Sequence, residues 1–378
     1  MSLTERQLNR ATLDRQMLLR RESMEVVDAV RRLVALQAQE PASPYLALWN
    51  RLADFDPAEL DLAFADRAVV KATLVRIALH TVHAADWPTF HNAMVPILRA
   101  SRLTDRRFGS SGLSIADADA LLPHLARFVA RPRTDVEIED MLEARLGERK
   151  KGVWWALRTF APLHRAPTGG PWSFGRPSLF VAARGALGPE SHGRSVQSLV
   201  LRYLQEFGPA SAQDVAQFTF LRRPVVLQAL KALGDKTVQL KGPGGATLFD
   251  VPGAPSLPTQ DTVAPPRLLP MWEGILLAYA DRGRVVPPEY RTVIFRRNGD
   301  VLPTLLVDGY VAGVWRPLEG GIEATAFHRL DEEAWKGLAA EAAMLVGLLA
   351  GREPTVYRRY AHWWDKGLPC AEVRLLPS

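Results

Sequence analysis

The sequence has a single cysteine, and this scarcity excludes two kinds of stabilising site. Cys370 has no partner in the 378-residue chain, so neither an intramolecular disulfide nor a cysteine-rich zinc site can form. Runs of eighteen apolar residues are also missing, so we expect no membrane span. The N-terminal segment, which carries Glu5 and Asp14, lacks the apolar centre of a secretory signal peptide. We therefore expect a cytoplasmic protein.

Lysine is scarce as well, and arginine dominates the basic residues. Eight of the 47 basic residues are lysines and the other 39 are arginines, within a formal net charge of +6. The arginine side chain suits bidentate phosphate contacts and entry into DNA grooves. Codon bias in a GC-rich genome produces the same excess, so composition alone leaves both explanations open. The basic balance favours nucleic acid over other anionic partners.

The common catalytic signatures are absent too. The sequence contains no phosphate-binding glycine-rich loop with its lysine, no HExxH, no G-x-S-x-G and no Rossmann fingerprint. His80 and His83 are three residues apart, and on a strand their side chains would point to opposite faces, so they would not share a metal. We expect neither a metal site nor a cofactor.

What the sequence does have is a pair of amides, Gln37 and Gln39, at the end of a predicted helix over residues 24–36. The apolar stripe of that helix places Gln37 where an aliphatic side chain would be the default. Pro41 disfavours helical backbone at the residue before it, so the chain is predicted to extend here. Both amides would then face one cleft while Ala38 packs beneath them. The alternative is a polar helix terminus that satisfies a free carbonyl.

The middle of the chain predicts a repeated order of three helices and a β-hairpin. In residues 193–255, helices over 197–207, 212–218 and 224–233 precede strands at 237–240 and 247–251. That order is typical of a winged helix, a helix-turn-helix variant with a β wing. The same order is predicted in residues 111–192. It is predicted again in residues 1–110, where helices over 24–36, 45–52 and 57–75 precede a strand at 77–82.

After a proline-rich linker, residues 256–378 turn to β structure. The segment Arg296-Arg297-Asn298-Gly299-Asp300 joins predicted strands at 292–295 and 302–307, and its Asn-Gly is a strong hairpin signal. A helix is predicted over 331–350, with acidic residues at its start. The expected fold class is α+β, with three tandem winged-helix modules followed by a C-terminal β-rich domain. Together they would form a concave DNA-binding channel.

Five basic residues are predicted to contact DNA. Arg222 and Arg223 lead into the third helix of residues 193–255, and Lys241 begins its wing. Arg296 and Arg297 stand at the hairpin tip, which would reach across a duplex. The alternative for the tip is a surface hairpin whose charges serve solubility.

Several stretches together resemble the AlkZ/YcaQ superfamily of winged-helix DNA glycosylases. They are the Gln-x-Gln at 37–39, the run Arg76-Ile77-Ala78-Leu79-His80-Thr81-Val82, and the segments 268–270, 277–282 and 306–309. The resemblance covers essentially the whole chain and implies that Gln37 and Gln39 are catalytic. The motif has the AlkZ-like form, Gln-x-Gln, and not the Gln-x-Asp form. The implied substrate is N7-alkylated guanine in double-stranded DNA, including interstrand crosslinks, in repair or in self-resistance to alkylating natural products.

The chemistry of a cationic base fits a site made of amides. Hydrolysis of an N-glycosidic bond passes through an oxocarbenium-like sugar. A base alkylated at N7 is already cationic and departs as a neutral purine, so water positioning and charge stabilisation by amide oxygens can suffice. We expect a monofunctional glycosylase, because no lysine is well placed for lyase chemistry. We expect a monomer, because three modules in one chain replace the symmetry of a dimer. The alternative is a non-catalytic winged-helix DNA-binding protein, either a transcription regulator or a drug-sequestering resistance protein.

Overall fold

A computed structural model describes residues 2–377, and its first third is built around a small antiparallel sheet. The helices are α1 (Glu5–Arg15), α2 (Val26–Arg32), α3 (Ser43–Trp49), α4 (Pro57–Ala65), α5 (Trp87–Leu103) and α6 (Arg106–Gly109). The strands are β1 (Leu36–Gln37), β2 (Val69–Thr73) and β3 (Leu79–His83). Strands β2 and β3 form a hairpin, and β1 pairs with β3 on its other side. The predicted order of three helices and a hairpin is therefore present in α2, α3, α4, β2 and β3.

Two predicted helices of this region are wrong in extent. The helix predicted over 24–36 ends at Arg32, because Val34 adopts a left-handed backbone with φ of 65° and the chain then enters β1. All four residues of the run 33–36 are buried, which one face of a helix cannot achieve. The helix predicted over 57–75 ends at Ala65. Its second half is β2, whose β-branched Val69 and Val70 suit a strand.

The second region extends the same sheet. Its elements are α7 (Ile115–Phe128), α8 (Asp135–Leu146) and α9 (Val153–Phe160), with β4 (Arg133–Thr134), β5 (Leu163–Ala166) and β6 (Leu179–Ala182). Thr134 begins α8 with a capping box, in which its hydroxyl accepts from the Glu137 N–H. Strand β5 pairs with β2 through Lys71 and Arg165, so the sheet order is β1-β3-β2-β5-β6-β4. The first two regions thus share one sheet.

The third region has its own two-stranded sheet. It consists of α10 (His192–Phe207), α11 (Ala212–Thr219) and α12 (Arg223–Leu233), followed by β7 (Val238–Lys241) and β8 (Thr247–Asp250). Ser211 caps α11, as the sequence predicts, because its hydroxyl accepts from the Asp214 N–H at 3.1 Å. Helix α10 packs against α5 of the first region and α12 of its own. The element order of the third unit matches its prediction closely.

The tail is a five-stranded sheet with a long helix. Its elements are β9 (Arg267–Leu269), α13 (Gly274–Leu277), α14 (Arg291–Ile294), β10 (Thr304–Val307), β11 (Tyr310–Leu318), β12 (Gly321–Ala326), α15 (Glu332–Ala350) and β13 (Glu372–Leu376). The sheet order is β13-β12-β11-β10-β9. The strand predicted at 292–295 is wrong, since this segment forms the short helix α14 with Ile294 fully buried. The turn at 296–300 is present, closed by a bridge between Phe295 and Val301.

Two buried ion pairs hold the regions together. One joins α1 to the third region, and the other joins the segment just after α3 to the tail. Arg15 forms a buried ion pair with Asp250 at 2.7 Å. Arg51 forms another with Glu273, also at 2.7 Å, and both side chains are at most 1% exposed. These pairs fix the relative positions of the regions that border the cleft described below. None of the helices described for residues 2–377 has both the length and the hydrophobicity that a bilayer span requires.

Candidate active site

Gln37 lies on strand β1 and not at a helix end. Its cross-strand partner is His80 on β3, and such partners project from the same face of the sheet. Ala38 is fully buried and donates its N–H to the Leu79 carbonyl at 2.7 Å. Strand β1 ends at Gln37 and the chain bends at Gln39, and both glutamines line one cleft while Ala38 is buried between them. The shared cleft agrees with the prediction, whereas the predicted extended backbone does not continue through Gln39.

Arg76 holds the amide of Gln37 in one orientation. Its Nη2 donates to Gln37 Oε1 at 2.9 Å and lies 3.1 Å from His80 Nε2, while its Nη1 donates to the Phe218 carbonyl at 3.1 Å. A guanidinium is only a donor, so the atom facing Arg76 must be the oxygen of Gln37. The amide nitrogen of Gln37 and the second lone pair of its oxygen remain for a ligand.

Burial sets the protonation states of Arg76 and His80, the two side chains behind Gln37. Burial, reinforced by the nearby Arg282, lowers the pKa of Arg76 to about 9, so it is still protonated at neutral pH. Burial and the Arg76 charge together lower the pKa of His80 to about 3, so this imidazole is neutral. His80 donates from Nδ1 to the Ala78 carbonyl at 3.0 Å, which leaves Nε2 as the acceptor for Arg76. A fixed positive charge thus polarises the Gln37 carbonyl.

Gln39 is free where Gln37 is held. Its side chain is exposed, and its amide makes no hydrogen bond with any of residues 2–377. The neighbouring Glu40 is not part of the cleft lining, because its carboxylate accepts from Arg359 and from the Tyr360 hydroxyl. The site therefore offers one pre-oriented amide and one unpaired amide, while the carboxylate of Asp300, which also lines the cleft, accepts from the Trp363 indole and the Asn298 amide.

The cleft has a volume of about 430 Å³ and is bordered by three regions of the chain. Gln37, Gln39 and Arg76 belong to the first region, Phe220 to the third, and Trp272 to the tail. Phe220 ends α11 with a left-handed backbone of φ 65° and is 45% exposed, which is unusual for an aromatic side chain. The cleft is open to solvent along one side and is not a closed pocket.

The predicted hairpin tip forms the wall opposite the glutamines. Asn298, Gly299 and Asp300 line the cleft. The turn is held at its base, because the Trp272 indole donates to the Gly299 carbonyl at 2.9 Å and the Trp363 indole donates to Asp300 at 2.8 Å. These contacts place the tip at the mouth of the cleft.

The five residues predicted to contact DNA lie at three places: the turn, the start of α12 and the end of β7. Arg297 is exposed at the tip, and Arg296 stacks over the Trp363 ring at 4.8 Å. Arg222 and Arg223 are exposed at the start of α12, close in sequence to Phe220, but they do not line the cleft. Lys241 is exposed at the end of β7 but does not line the cleft, and its carbonyl accepts from the Leu3 N–H at 2.8 Å.

Sequence reasoning missed Arg76, His80, Phe220 and Trp272 as parts of the site. Arg76 and His80 belong to the run on which the family resemblance rests, but nothing local indicates that Arg76 reaches a glutamine 39 residues away. Phe220 follows the predicted helix 212–218 at a position that a turn would normally fill with glycine or asparagine. That departure was the one sequence signal available for it.

Comparison with known proteins gives concordant results over almost the whole chain. The model of the family described as "DNA glycosylase AlkZ-like" matches residues 30–347. A curated protein of Streptomyces sahachiroi, named "Interstrand DNA cross-link repair glycosylase", is 24% identical over 347 residues, which cover 88% of this chain and 92% of that protein. The solved structure of Streptomyces sahachiroi DNA glycosylase AlkZ superimposes with a TM-score of 0.81 at 22% identity, covering 94% of this chain and 99% of the other.

Proposed function

Because the chain belongs to the AlkZ-like DNA glycosylase family, we propose that it hydrolyses the N-glycosidic bond of N7-alkylated guanine in double-stranded DNA. The observation that carries this proposal is the pair Gln37 and Gln39, which line one cleft with the oxygen of Gln37 held by Arg76. Gln37 and Gln39 are the catalytic residues in this proposal.

The two amides take different roles. Gln39 has an unpaired carbonyl and accepts a hydrogen bond from the attacking water beneath C1′. Gln37 is fixed by Arg76 and therefore positions that water with its free N–H or remaining lone pair. Neither group is a strong base, so the rate enhancement comes from positioning and from dipoles aimed at the sugar. Such a site acts on a base that is already a good leaving group, which a cationic N7-alkylguanine is and an undamaged guanine is not.

The open shape of the cleft favours bulky lesions. A base crosslinked to the opposite strand cannot swing freely into a closed pocket, because it remains tethered. A cleft that is bordered by Phe220 and by the 298–300 turn and is open on one side admits such a base without extracting it from the duplex. The curated relative is named for interstrand cross-link repair, and we extend that substrate class to this chain, in repair or in self-resistance to alkylating agents.

The surface around the cleft is proposed as the DNA-binding channel of a monomer. Exposed arginines lie close in sequence to residues that line it, since Arg222 and Arg223 follow Phe220 and Arg297 precedes Asn298. The second candidate function is that of a winged-helix protein that binds DNA without releasing a base. Such a protein would use the same surface but would not require Arg76 to hold Gln37 in one orientation. The Arg76–Gln37 contact therefore favours the enzyme.

The deciding experiment measures release of 7-methylguanine from methylated duplex DNA, and unhooking of a crosslinked duplex, under single-turnover conditions. Gln37→Ala and Gln39→Ala should each lower the rate by about 10²–10³, the range typical of removing one preorganised polar group. Both variants should still bind the duplex.

The matched control is Gln213→Ala, because Gln213 is an exposed glutamine on α11 that does not line the cleft. It should release base at the wild-type rate. If Gln37→Ala and Gln39→Ala bind damaged DNA and also match wild-type release, the catalytic assignment is wrong.

A further inference from the structure

A second cleft lies on the opposite face of the six-stranded sheet. Lys71 is paired with Thr81, and Gln37 with His80, across the ladder. Neighbouring residues of a strand point to opposite faces, so Lys71 and Gln37 project from opposite sides of the sheet. The second cleft has a volume of about 270 Å³ and includes Lys71 and Arg165. Gln39, at the edge of the sheet, lines both clefts.

Lys71 is a buried cation without a counterion. Its side chain is 4% exposed, and its ammonium lies 4.4 Å from the centre of the Phe174 ring. Within residues 2–377 it forms no ion pair and no hydrogen bond through that ammonium. Directly across the ladder stands a second cation, Arg165. Like charges in directly opposite positions destabilise a sheet, and an unpaired buried charge is costly, so this pair calls for an explanation.

The carboxylates near the pair are engaged elsewhere, and Asp135, which favours the charged form of Arg165, is bonded to the Trp154 indole and to Arg158. Arg165 stacks on the Phe180 ring at 3.7 Å, and its Nη1 is buried with no partner among residues 2–377. Glu40 favours the charged form of Lys71, but its carboxylate is already bonded to Arg359 and Tyr360. Arg359 and Glu40 both line the same cleft, and because they pair with each other they add no net charge to it.

We propose that this cleft binds a backbone phosphate of the DNA strand whose sugar lies at Gln39. A phosphate oxygen accepts from the Lys71 ammonium, the guanidinium of Arg165 adds a second positive charge, and residues of the loop 168–176 line the cleft beside them. The inference rests on the proposed function, because it identifies the anion as part of the glycosylase substrate. A flipped lesion base is excluded as occupant by its charge, since a cationic base would meet Lys71 and Arg165.

The titration of Lys71 agrees with this assignment. Burial first, and then the Arg165 charge, lower the pKa of Lys71 to about 7, so the amine is about half neutral at pH 7. A phosphate in the cleft favours the ammonium and raises that pKa. DNA binding at pH 7 is therefore coupled to uptake of about half a proton at Lys71. We assign Lys71 no Schiff-base role, because it projects from the face of the sheet opposite to Gln37, which positions the attacking water.

The test uses a set of lesion duplexes, each with one neutral methylphosphonate linkage, and measures the affinity of the full chain by fluorescence anisotropy. For wild type, replacing one particular phosphate next to the lesion by the neutral methylphosphonate should weaken binding about tenfold. Lys71→Met should bind the unmodified duplex about tenfold more weakly and lose its sensitivity at that linkage alone. If Lys71→Met keeps the wild-type sensitivity profile, the phosphate site is wrong.

Two controls separate this outcome from misfolding and from loss of charge. Lys71→Met removes an unpaired buried charge, so its melting temperature should not fall below that of wild type. Lys336→Met removes an exposed lysine of α15, 3.8 Å from Glu333, and should bind like wild type. A melting temperature well below wild type for Lys71→Met would contradict the statement that its charge is uncompensated.

Proton uptake supplies an independent measurement. Calorimetry in buffers of different ionisation enthalpy, repeated between about pH 6 and pH 9, should show wild type taking up a larger fraction of a proton than Lys71→Arg, because arginine is charged in both states. Equal uptake by both proteins across that range would overturn the proposal. Release of 7-methylguanine by wild type is scored in parallel, so a failed glycosylase assay with an intact methylphosphonate effect refutes the proposed function and not the phosphate site.

Discussion

Replacing Arg76 by methionine should damage catalysis far more than folding. The substitution removes the hydrogen bond from Arg76 Nη2 to Gln37 Oε1, so the amide of Gln37 loses its fixed orientation. Hydrogen bonds to charged groups contribute about 1.5–3 kcal/mol. At about 1.4 kcal/mol per tenfold change in rate, base release should fall roughly tenfold to a hundredfold.

The effect of Arg76→Met on stability should be small, because two terms oppose each other. The Phe218 carbonyl and His80 Nε2 lose their donor, which costs about 1–3 kcal/mol for each buried group. Against this, a buried charge whose pKa is already lowered to about 9 no longer has to be desolvated. The melting temperature of Arg76→Met should therefore shift only modestly, whereas its single-turnover rate of 7-methylguanine release should fall by the larger factor given above.

Arg284→Met is the matched control for this experiment. Arg76 lies 4.9 Å from the centre of the Phe218 ring, and Arg284 likewise stacks on an aromatic ring, at 3.9 Å from Tyr279. Arg284 also donates to a backbone carbonyl, that of Pro209 at 3.0 Å. It does not contact Gln37. The control should lose comparable packing yet release base at the wild-type rate. Wild-type release by Arg76→Met would refute the argument that Arg76 orients the catalytic amide.

Two further predictions concern the tip of the turn and the joint between regions. Arg297→Ala should weaken binding to lesion DNA and reduce the slope of log affinity against log salt concentration by about 1, the value for one phosphate contact. An unchanged slope would support the alternative that the charges of the turn serve solubility. Glu273→Ala should destabilise the fold by about 3–5 kcal/mol, because it leaves the charge of Arg51 buried and unpaired; chemical denaturation measures this, and a loss below about 1 kcal/mol would show that the pair is compensated by other groups.

The helices predicted best from the sequence carry local signals at one or both ends. Helix α8 begins at Thr134 with a capping box and ends at Gly147, which has φ of 79°. Helix α11 has Ser211 at its start, and α12 has Pro224 in its first turn. Each signal is satisfied by neighbours in sequence, so no tertiary contact is needed to read it. The helices over residues 5–15 and 87–103 carried no prediction.

Where sequence reasoning was wrong, a distant partner decides the structure. The apolar run before Gln37 has helical periodicity, but its last residue, Leu36, pairs with Thr81 and becomes a strand. The β-branched segment Thr292-Val293-Ile294 reads as a strand, yet it has no ladder partner and forms α14. Local propensity is a weak determinant when pairing or burial with remote residues competes with it.

The candidate site was half predictable for the same reason. The prediction that Gln37 and Gln39 share a cleft rested on a helix end before Pro41, which is a local signal. The groups that give the two amides different roles come from elsewhere, since Arg76 arrives from the β2–β3 connection and Phe220 from the end of α11. Lys71, an ordinary strand lysine in the sequence, becomes unusual only when β5 places Arg165 opposite it.

The fixed charge of Arg76 also bears on which substrates such a site can process. A cation beside the reacting sugar would oppose a mechanism that first protonates a neutral base, because that step adds a positive charge to the cleft. With N7-alkylguanine the base and sugar together carry one positive charge before the bond breaks and one in the transition state. The repulsion from Arg76 is then similar in both states and largely cancels from the barrier. A neutral amide pair supported by a buried arginine is therefore compatible with cationic lesions and unfavourable for neutral ones that need an acid.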